Sequence, residues 1–476
     1  MRRRFYAVAA ILTAGLLAAC GSSNQPEAGT NTQNTEAAGQ EAQKSGAAAG
    51  QQTQKNGAAG QETQNNEAAG QGAQNNEAAG GKAEKITIWR PQNTQEIEAW
   101  WTEMLDSFNK EYQGRYEAIQ ETFPKSGSDS YSEKINTAVI ADNLPDLMLV
   151  DGPNVSSYAQ NEILVPLDEF VTEEDKKDML DSCLKQGTVD GKLYAVALWE
   201  SSVGIYYNKE MLEEAGIEVP ETQDQAWTWD ELYETAKQLK KEKQFGITLN
   251  TNQSQITYYY SPLLEQLGSC LANPEGTKTD GYLNSKESVE VAEFIKRFYD
   301  DGIANIEPTS TEFADGGSAL WLATSYQISM LQNQYPDLKW GVTYYPVSND
   351  RKEATPTGSW TIGMTKSAGN REGAYALLNY MTNKEANLSG SPASGYLPAR
   401  YSSTKELTQY REEPYRVFME QLENNGAPRP RTAVWTTLNS TYNSAISDII
   451  LGSDPQKKLD EAAKAVDQEY EMNFAE

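Results

Sequence analysis

Residues 186–216 read QGTVDGKLYAVALWESSVGIYYNKEMLEEAG. Asp190-Gly191 between Val189 and Leu193 predicts a hairpin with a two-residue turn, because both positions tolerate positive φ. Residues 194–198 are apolar and extended, and so are residues 203–207. Trp199-Glu200-Ser201-Ser202 breaks the pattern between them. Asn208 then caps a helix carrying Met211, Leu212 and Ala215, with Gly216 at its end. Two strands nearly in line, with a polar kink between them, suit a chain that leaves one lobe for another. Residues 199–202 are therefore expected to form a hinge and part of a ligand wall.

Upstream, Ile86-Thr87-Ile88-Trp89 predicts a strand, and Asn93 or Thr94 a cap for a helix bearing Ile97, Trp100, Trp101, Met104, Leu105 and Phe108 on one face. A second strand at 116–120 follows, then a capping box at Ser130 and Glu133. Residues 146–151 (DLMLVD) are apolar on both faces, as in a parallel sheet. Strand-helix-strand-helix-strand predicts an α/β layer with its ligand beyond the carboxyl ends of the strands. That rim holds residues 90–93 and 151–154. Downstream, residues 357–364 and 395–398 are expected to make a second and a third crossing, and Asp454-Pro455 to open a terminal helix.

The first residues combine Arg2-Arg3-Arg4, an apolar run over 5–19 and Leu17-Ala18-Ala19-Cys20. This predicts a secretion signal ending at a lipobox, with Cys20 lipidated, the alternative being a plain signal with a chance cysteine. Residues 20–84 are Gln, Asn, Ala, Gly and Glu, with GQETQNNEAA and GQGAQNNEAA in tandem. Such a composition cannot offset chain entropy and predicts a disordered tether. The body from Lys85 to Glu476 is too long for one ordinary core, so two domains are expected.

The chain has a net charge of −28, which argues against nucleic acid as a partner. It has no histidine, which removes Ser-His-Asp and Cys-His catalysis and the usual zinc ligands. Cys183 and Cys270 are expected to be free and buried. No phosphate-binding Gly-Lys loop is present.

Eight segments in order then carry a resemblance: ITIW at 86, LPDLMLVD at 144, QNEILVPLDEF at 160, DGKLYAVALWESSVGIYYNKEML at 190, FADGGSALWLATSYQ at 313, WGVTYYPV at 340, GSWTIGMTKSAGNREGAYALLNYM at 358 and AVWTTLNSTYNSAISDIILG at 433. With the lipobox they resemble the extracellular solute-binding proteins of ABC importers, the sugar-binding branch that includes maltodextrin-binding protein. The resemblance implies an α/β, two-lobed, periplasmic-binding-protein-like (type II) fold with three interlobe crossings. Lobe one would be 85–198 with 359–394, and lobe two 199–358 with 395–476. It implies a monomeric, non-catalytic receptor without cofactor or metal, lipid-anchored on the outer face of the bacterial cell membrane. Its partners would be a carbohydrate and a permease served by a separate ATPase.

Sugars need aromatic plates for their C–H faces and carboxylate, amide or Arg groups for their hydroxyls. The resemblance puts stacking aromatics at Tyr326 and Trp435, the loop after the third strand at Asp151 and Asn154, and the hinge at Trp199 and Glu200. Trp360 stands at the second crossing and Tyr258 near a helix start. Arg90 and Gln92 follow the first strand but depart from the charged pattern of the maltodextrin receptor. Three other readings stand beside this one. They are a secreted glycosidase with paired carboxylates, a receptor for ferric iron (through Tyr206-Tyr207 or Tyr344-Tyr345) or a polyamine, and a surface adhesin.

Overall fold

The computed structural model describes residues 82–125, 130–252, 254–358 and 360–474. The signal segment, Cys20, the tether as far as residue 81, and Ser359 at the expected second crossing lie outside the described residues.

Strand β1 (Glu84–Pro91) pairs in parallel with β2 (Tyr116–Phe123) on one side and β3 (Leu147–Asp151) on the other. Helices Gln95–Glu111 and Tyr131–Ala141 make the crossovers. The first buries Ile97, Trp100, Trp101, Leu105 and Phe108, a stripe at helical spacing. Residues Leu147 to Val150 of β3 are all buried, as an inner strand requires. The hairpin of β4 (Thr188–Val189) and β5 (Lys192–Leu193) turns through Asp190 at φ 49° and Gly191 at φ 75°, the two positive values that a type I′ turn needs.

Strand β6 (Ala195–Trp199) joins the first sheet, whereas β7 (Val203–Asn208) belongs to the second. With β8 (Phe245–Thr248), β9 (Ser318–Thr324) and β10 (Trp340–Thr343), β7 forms the order β10-β7-β9-β8. After β11 (Thr355–Thr357), β12 (Trp360–Met364) returns to the first sheet, whose order is β2-β1-β3-β12-β6. β12 is antiparallel to both neighbours, so this sheet is mixed. Strand β13 (Gly426–Pro428) runs beside β11. The helix ends follow the sequence signals only in part, since Thr94 makes no side-chain cap and Ser130 accepts from Glu133 N at a long 3.5 Å. Asn208 Oδ1 accepts from Met211 N at 3.1 Å, Gly216 takes φ 67°, and Thr228 with Glu231 forms a reciprocal capping box.

Each sheet has its own apolar core. Trp199 closes the core of the first, and Val203 opens that of the second. The segments between them are stitched side by side. Glu200 and Leu397 exchange backbone hydrogen bonds of 2.8 and 2.9 Å, Ser202 bridges Thr357, and Gly358 N donates to Ser201 O at 3.3 Å. One stretch departs from expectation. Residues 399–404, expected with the second lobe, pack on the first. Ala399 O accepts from Leu180 N at 3.0 Å, Arg400 Nε donates to Thr382 O at 2.6 Å, and Ala399 shares an apolar cluster with Leu180, Cys183 and Ala197. The chain rejoins the second lobe's packing at Leu407.

Candidate functional site

A cleft of about 630 Å³ lies between the lobes over these crossings. Its first wall comes from the strand ends of the mixed sheet. β1 and β3 present their carboxyl ends, Pro91 and Asp151. β12 runs the other way and presents its first residue, Trp360, which pairs with Asp151. The opposite wall holds Tyr258 from helix Ile256–Gln266, Thr324 at the end of β9, and Tyr326 ahead of helix Gln327–Gln334, which adds Met330 and Asn333. Ser201, Gly358, Tyr396 and Arg429 complete the lining along the crossings. Strand ends are where backbone pairing stops and side chains are free to face a ligand, which is why the site gathers there.

The aromatic groups are held from behind. The Tyr258 hydroxyl shares a hydrogen bond of 3.0 Å with Ser201 Oγ, which donates to Gly358 O at 2.6 Å. Burial holds the Tyr258 hydroxyl well above its ordinary pKa, so it stays neutral. Tyr396 stacks on Trp199 with ring centroids 5.1 Å apart and an 8° interplanar angle, and meets Tyr326 at 5.3 Å. The charged groups are paired too. Arg429 binds Asp151 bidentately, at 2.9 and 2.7 Å, and its guanidinium lies 5.2 Å from the Tyr258 ring centroid. At the cleft edge, Lys125 donates to Asn93 Oδ1 at 2.8 Å.

Of the residues expected at the site, Asp151, Trp360, Tyr326 and Tyr258 line the cleft. The others are placed elsewhere. Arg90 is fully buried: its Nε donates to Gln120 Oε1 at 2.8 Å and its two terminal nitrogens to Glu98 at 2.8 and 2.6 Å, so it ties β1 to β2 and the first helix. That contact holds the Glu98 carboxyl below its usual range. Gln92 is exposed, pairs through its backbone with Phe123, and is not part of the cleft lining. Asn154 opens helix Asn154–Gln160, also away from the lining. Trp435 opens helix Trp435–Ile450 inside the second core and faces the back of Arg429 at 5.8 Å. Trp199 is buried between Trp100 and Tyr396, so Tyr396 separates it from the cleft.

Glu200 is not a wall residue either. It is fully buried in the hinge. One oxygen accepts from Ser201 N at 2.8 Å and Gly358 N at 3.0 Å; the other accepts from Ser182 Oγ at 2.7 Å, Cys183 Sγ at 3.3 Å and Gln186 Nε2 at 3.5 Å. Burial raises its pKa against the pull of these bonds. Cys183 is free and buried, as expected, and Cys270 is free and half-buried.

Sequence reasoning missed Tyr396 as a wall residue and missed Arg429 altogether. Tyr396 carries a signal in hindsight, an aromatic next to a positive-φ glycine (Gly395, φ 73°) at a crossing. Arg429 is framed by Pro428 and Pro430, and the strand ends at the first of them. Three of the four tyrosines weighed for iron are engaged inside the second lobe: Tyr206 donates to Thr324 O at 2.8 Å, Tyr344 to Glu420 Oε2 at 2.5 Å, and Tyr345 to Tyr259 O at 2.7 Å. Among the described residues no group of His, Cys, Asp and Glu is arranged to hold a metal ion, and no helix is long and apolar enough to cross a membrane.

A family model described as bacterial extracellular solute-binding protein matches residues 103–414. The galactooligosaccharide-binding protein of Bacillus subtilis is 21% identical over 375 residues, 75% of this chain and 83% of that protein. The crystal structure of the cyclic α-maltosyl-1,6-maltose binding protein from Arthrobacter globiformis is similar with a TM-score of 0.70 at 21% identity, covering 82% of this chain and 100% of that one. UgpB from Mycobacterium tuberculosis, in complex with glycerophosphocholine, is similar with a TM-score of 0.68 at 21% identity over 82% of this chain and 98% of that one. At such identity the structural likeness carries the fold.

Proposed function

The chain belongs to the bacterial extracellular solute-binding protein family, and from that premise we propose that it is the capture subunit of an ABC importer for a sugar, an oligosaccharide in particular. The observation that carries the reading is the cleft itself. Trp360 on one wall and Tyr258 and Tyr326 on the other face a space of about 630 Å³, with Tyr396 and the Asp151–Arg429 pair along its floor. Aromatic faces from two lobes with hydrogen-bonding groups between them suit a pyranose ring, apolar on its faces and polar around its edge. The ligand drives closure by binding the closed arrangement more tightly than the open one. The closed receptor then delivers its cargo to a permease powered by a separate ATPase.

The receptor works as a monomer on the outer face of the cell membrane, held by lipid on Cys20 and set off from the surface by the Gln/Asn-rich segment. Membrane fractionation tests that part: Cys20→Ala moves the chain from the membrane to the soluble fraction, and retention on the membrane overturns the anchor. A thermal-shift screen against neutral mono- and oligosaccharides tests the ligand. A sugar present at 100 times its Kd stabilises the folded form by about 2.7 kcal/mol, which raises Tm by roughly 3 °C. No response to any sugar, with a rise on glycerophosphocholine, ferric iron or a polyamine, overturns the carbohydrate reading.

A further inference from the structure

We propose that the Asp151–Arg429 pair is a charge filter: it makes the cleft floor accept uncharged sugars and reject those bearing a carboxylate. The proposal rests on the carbohydrate reading above and adds what kind of carbohydrate enters.

The geometry supports a fixed pair. Asp151 ends β3 on the first lobe, and Arg429 follows β13, which runs beside β11 of the crossing segment. Both line the cleft. The Arg429 side chain is nine-tenths buried and that of Asp151 about one-third exposed, so the carboxylate is the member that a ligand meets. The guanidinium lies against two rings, Tyr258 at 5.2 Å and Trp435 at 5.8 Å. A Cβ added at Gly358 would come within 2.6 Å of the Tyr258 ring and 3.3 Å of Arg429 Nη2, so the backbone holds this assembly closely. Arg429 is thus held in place by its carboxylate partner and by the two rings.

The chemistry follows from what each partner has left. A carboxylate has about four acceptor positions, and the guanidinium fork occupies two of them. A sugar hydroxyl can donate to the remainder without disturbing the pair. A sugar carboxylate meets Asp151 first, with the positive charge behind already neutralised. It would have to face a like charge, or pull Arg429 away and leave Asp151 unpaired. The other charged side chains of the lining, Glu96 and Lys125, are both exposed, and Lys125 is bonded to Asn93 at 2.8 Å. Asp151 is thus the residue that sets the charge preference, and Arg429 is the latent cation that it masks.

The test is titration calorimetry of the full chain with matched pairs: maltotriose, cellotriose and galactotriose, each alongside a form with its primary alcohols oxidised to carboxylates. For whichever neutral member binds, wild-type protein is expected to favour it over the oxidised form by at least about 100-fold. Asp151→Asn unmasks Arg429 and is expected to narrow that gap to within about 5-fold, by a gain in affinity for the oxidised form that fades with added salt. Asp151→Asn with Arg429→Gln is expected to lose the gain. Equal wild-type binding of both forms overturns the filter, and so does a folded Asp151→Asn protein that binds the neutral sugar with no gain for the acidic one. Should Asp151→Asn fail to fold, the wild-type comparison decides alone. If no member of any pair binds, the carbohydrate reading falls and takes the filter with it, an outcome distinct from loss of the filter alone.

Discussion

Replacing Glu200 by glutamine probes the hinge with a change of two atoms' chemistry and almost no change of shape. The carboxylate receives five donors, two on one oxygen and three on the other. Glutamine keeps one oxygen. If that oxygen faces Ser201 N and Gly358 N, its NH2 group faces the Ser182 hydroxyl, the Cys183 thiol and the Gln186 amide. The hydroxyl can turn and accept; the Gln186 NH2 cannot. Hydrogen bonds to a charged group contribute about 1.5–3 kcal/mol each, and a displaced buried donor costs about 1–3 kcal/mol. The neutral side chain also avoids the desolvation that raises the Glu200 pKa, which offsets part of the loss. The expected net destabilisation is about 2–3 kcal/mol. Its pH dependence has a definite sign. Because the folded pKa of Glu200 is raised, the stability linked to its proton is fully present below the unfolded carboxyl value of about 4.3 and is lost as pH rises through the folded value. Glutamine has no such dependence, so the penalty of Glu200→Gln is largest at about pH 4 and shrinks toward neutral pH. Urea unfolding of wild type and variant at several pH values reads both quantities. A penalty below about 0.5 kcal/mol at every pH, or one that grows as pH rises, refutes the view of Glu200 as a buried acceptor holding the crossings together.

Gly358→Ala puts a Cβ 2.6 Å from the Tyr258 ring and is expected to weaken sugar binding roughly tenfold by shifting Tyr258 and Arg429; unchanged calorimetric affinity would show that these groups do not set the floor. Trp360→Ala removes the aromatic plate from the first wall, and a loss of about 10- to 100-fold in affinity with a near-native Tm is expected, whereas wild-type affinity would mean that the ring is not a stacking surface. Gly246→Ala places a Cβ 1.8 Å from the Ala236 carbonyl oxygen, where helix Trp229–Leu239 meets β8, and is expected to cost roughly 3 kcal/mol in urea unfolding; a neutral result would show that helix and strand separate easily there.

Local signals in the sequence reached far into the fold. The Asp190-Gly191 turn, the Asn208 cap and the doubly buried β3 each depend on a few neighbouring residues, and the structure has them. The passage between sheets at 199–202 was readable for the same reason, because a polar break between two apolar strands is itself local. What stayed hidden was facing. Trp360 and Trp199 are cross-strand partners on β12 and β6, yet one lines the cleft and the other fills the core behind Tyr396. A register bulge lies between Trp360 and Thr361, and in a strand a shift of one residue exchanges the faces. Arg90 and its neighbour Pro91 divide in the same way, the first buried on Glu98 and the second on the cleft.

Pairing over distance was the other gap. Arg429 and Asp151 are 278 positions apart, and no periodicity connects them. Glu200 shows the converse: its position in the hinge was legible, but its role depends on Ser182, Cys183 and Gln186 from a helix earlier in the chain and on Gly358 from a crossing much later. Both carboxylates sit where segments remote in sequence converge. A carboxylate at a strand end therefore has two destinies that sequence leaves equal, a ligand contact or a fastening between segments. The donors that surround it decide between them. At Glu200 five donors saturate the group and shut it away. At Asp151, among the described residues, the Arg429 fork leaves acceptor positions facing the cleft. That difference in what remains unfilled is the physical reason for placing the first in the hinge and for proposing the second as a sugar contact.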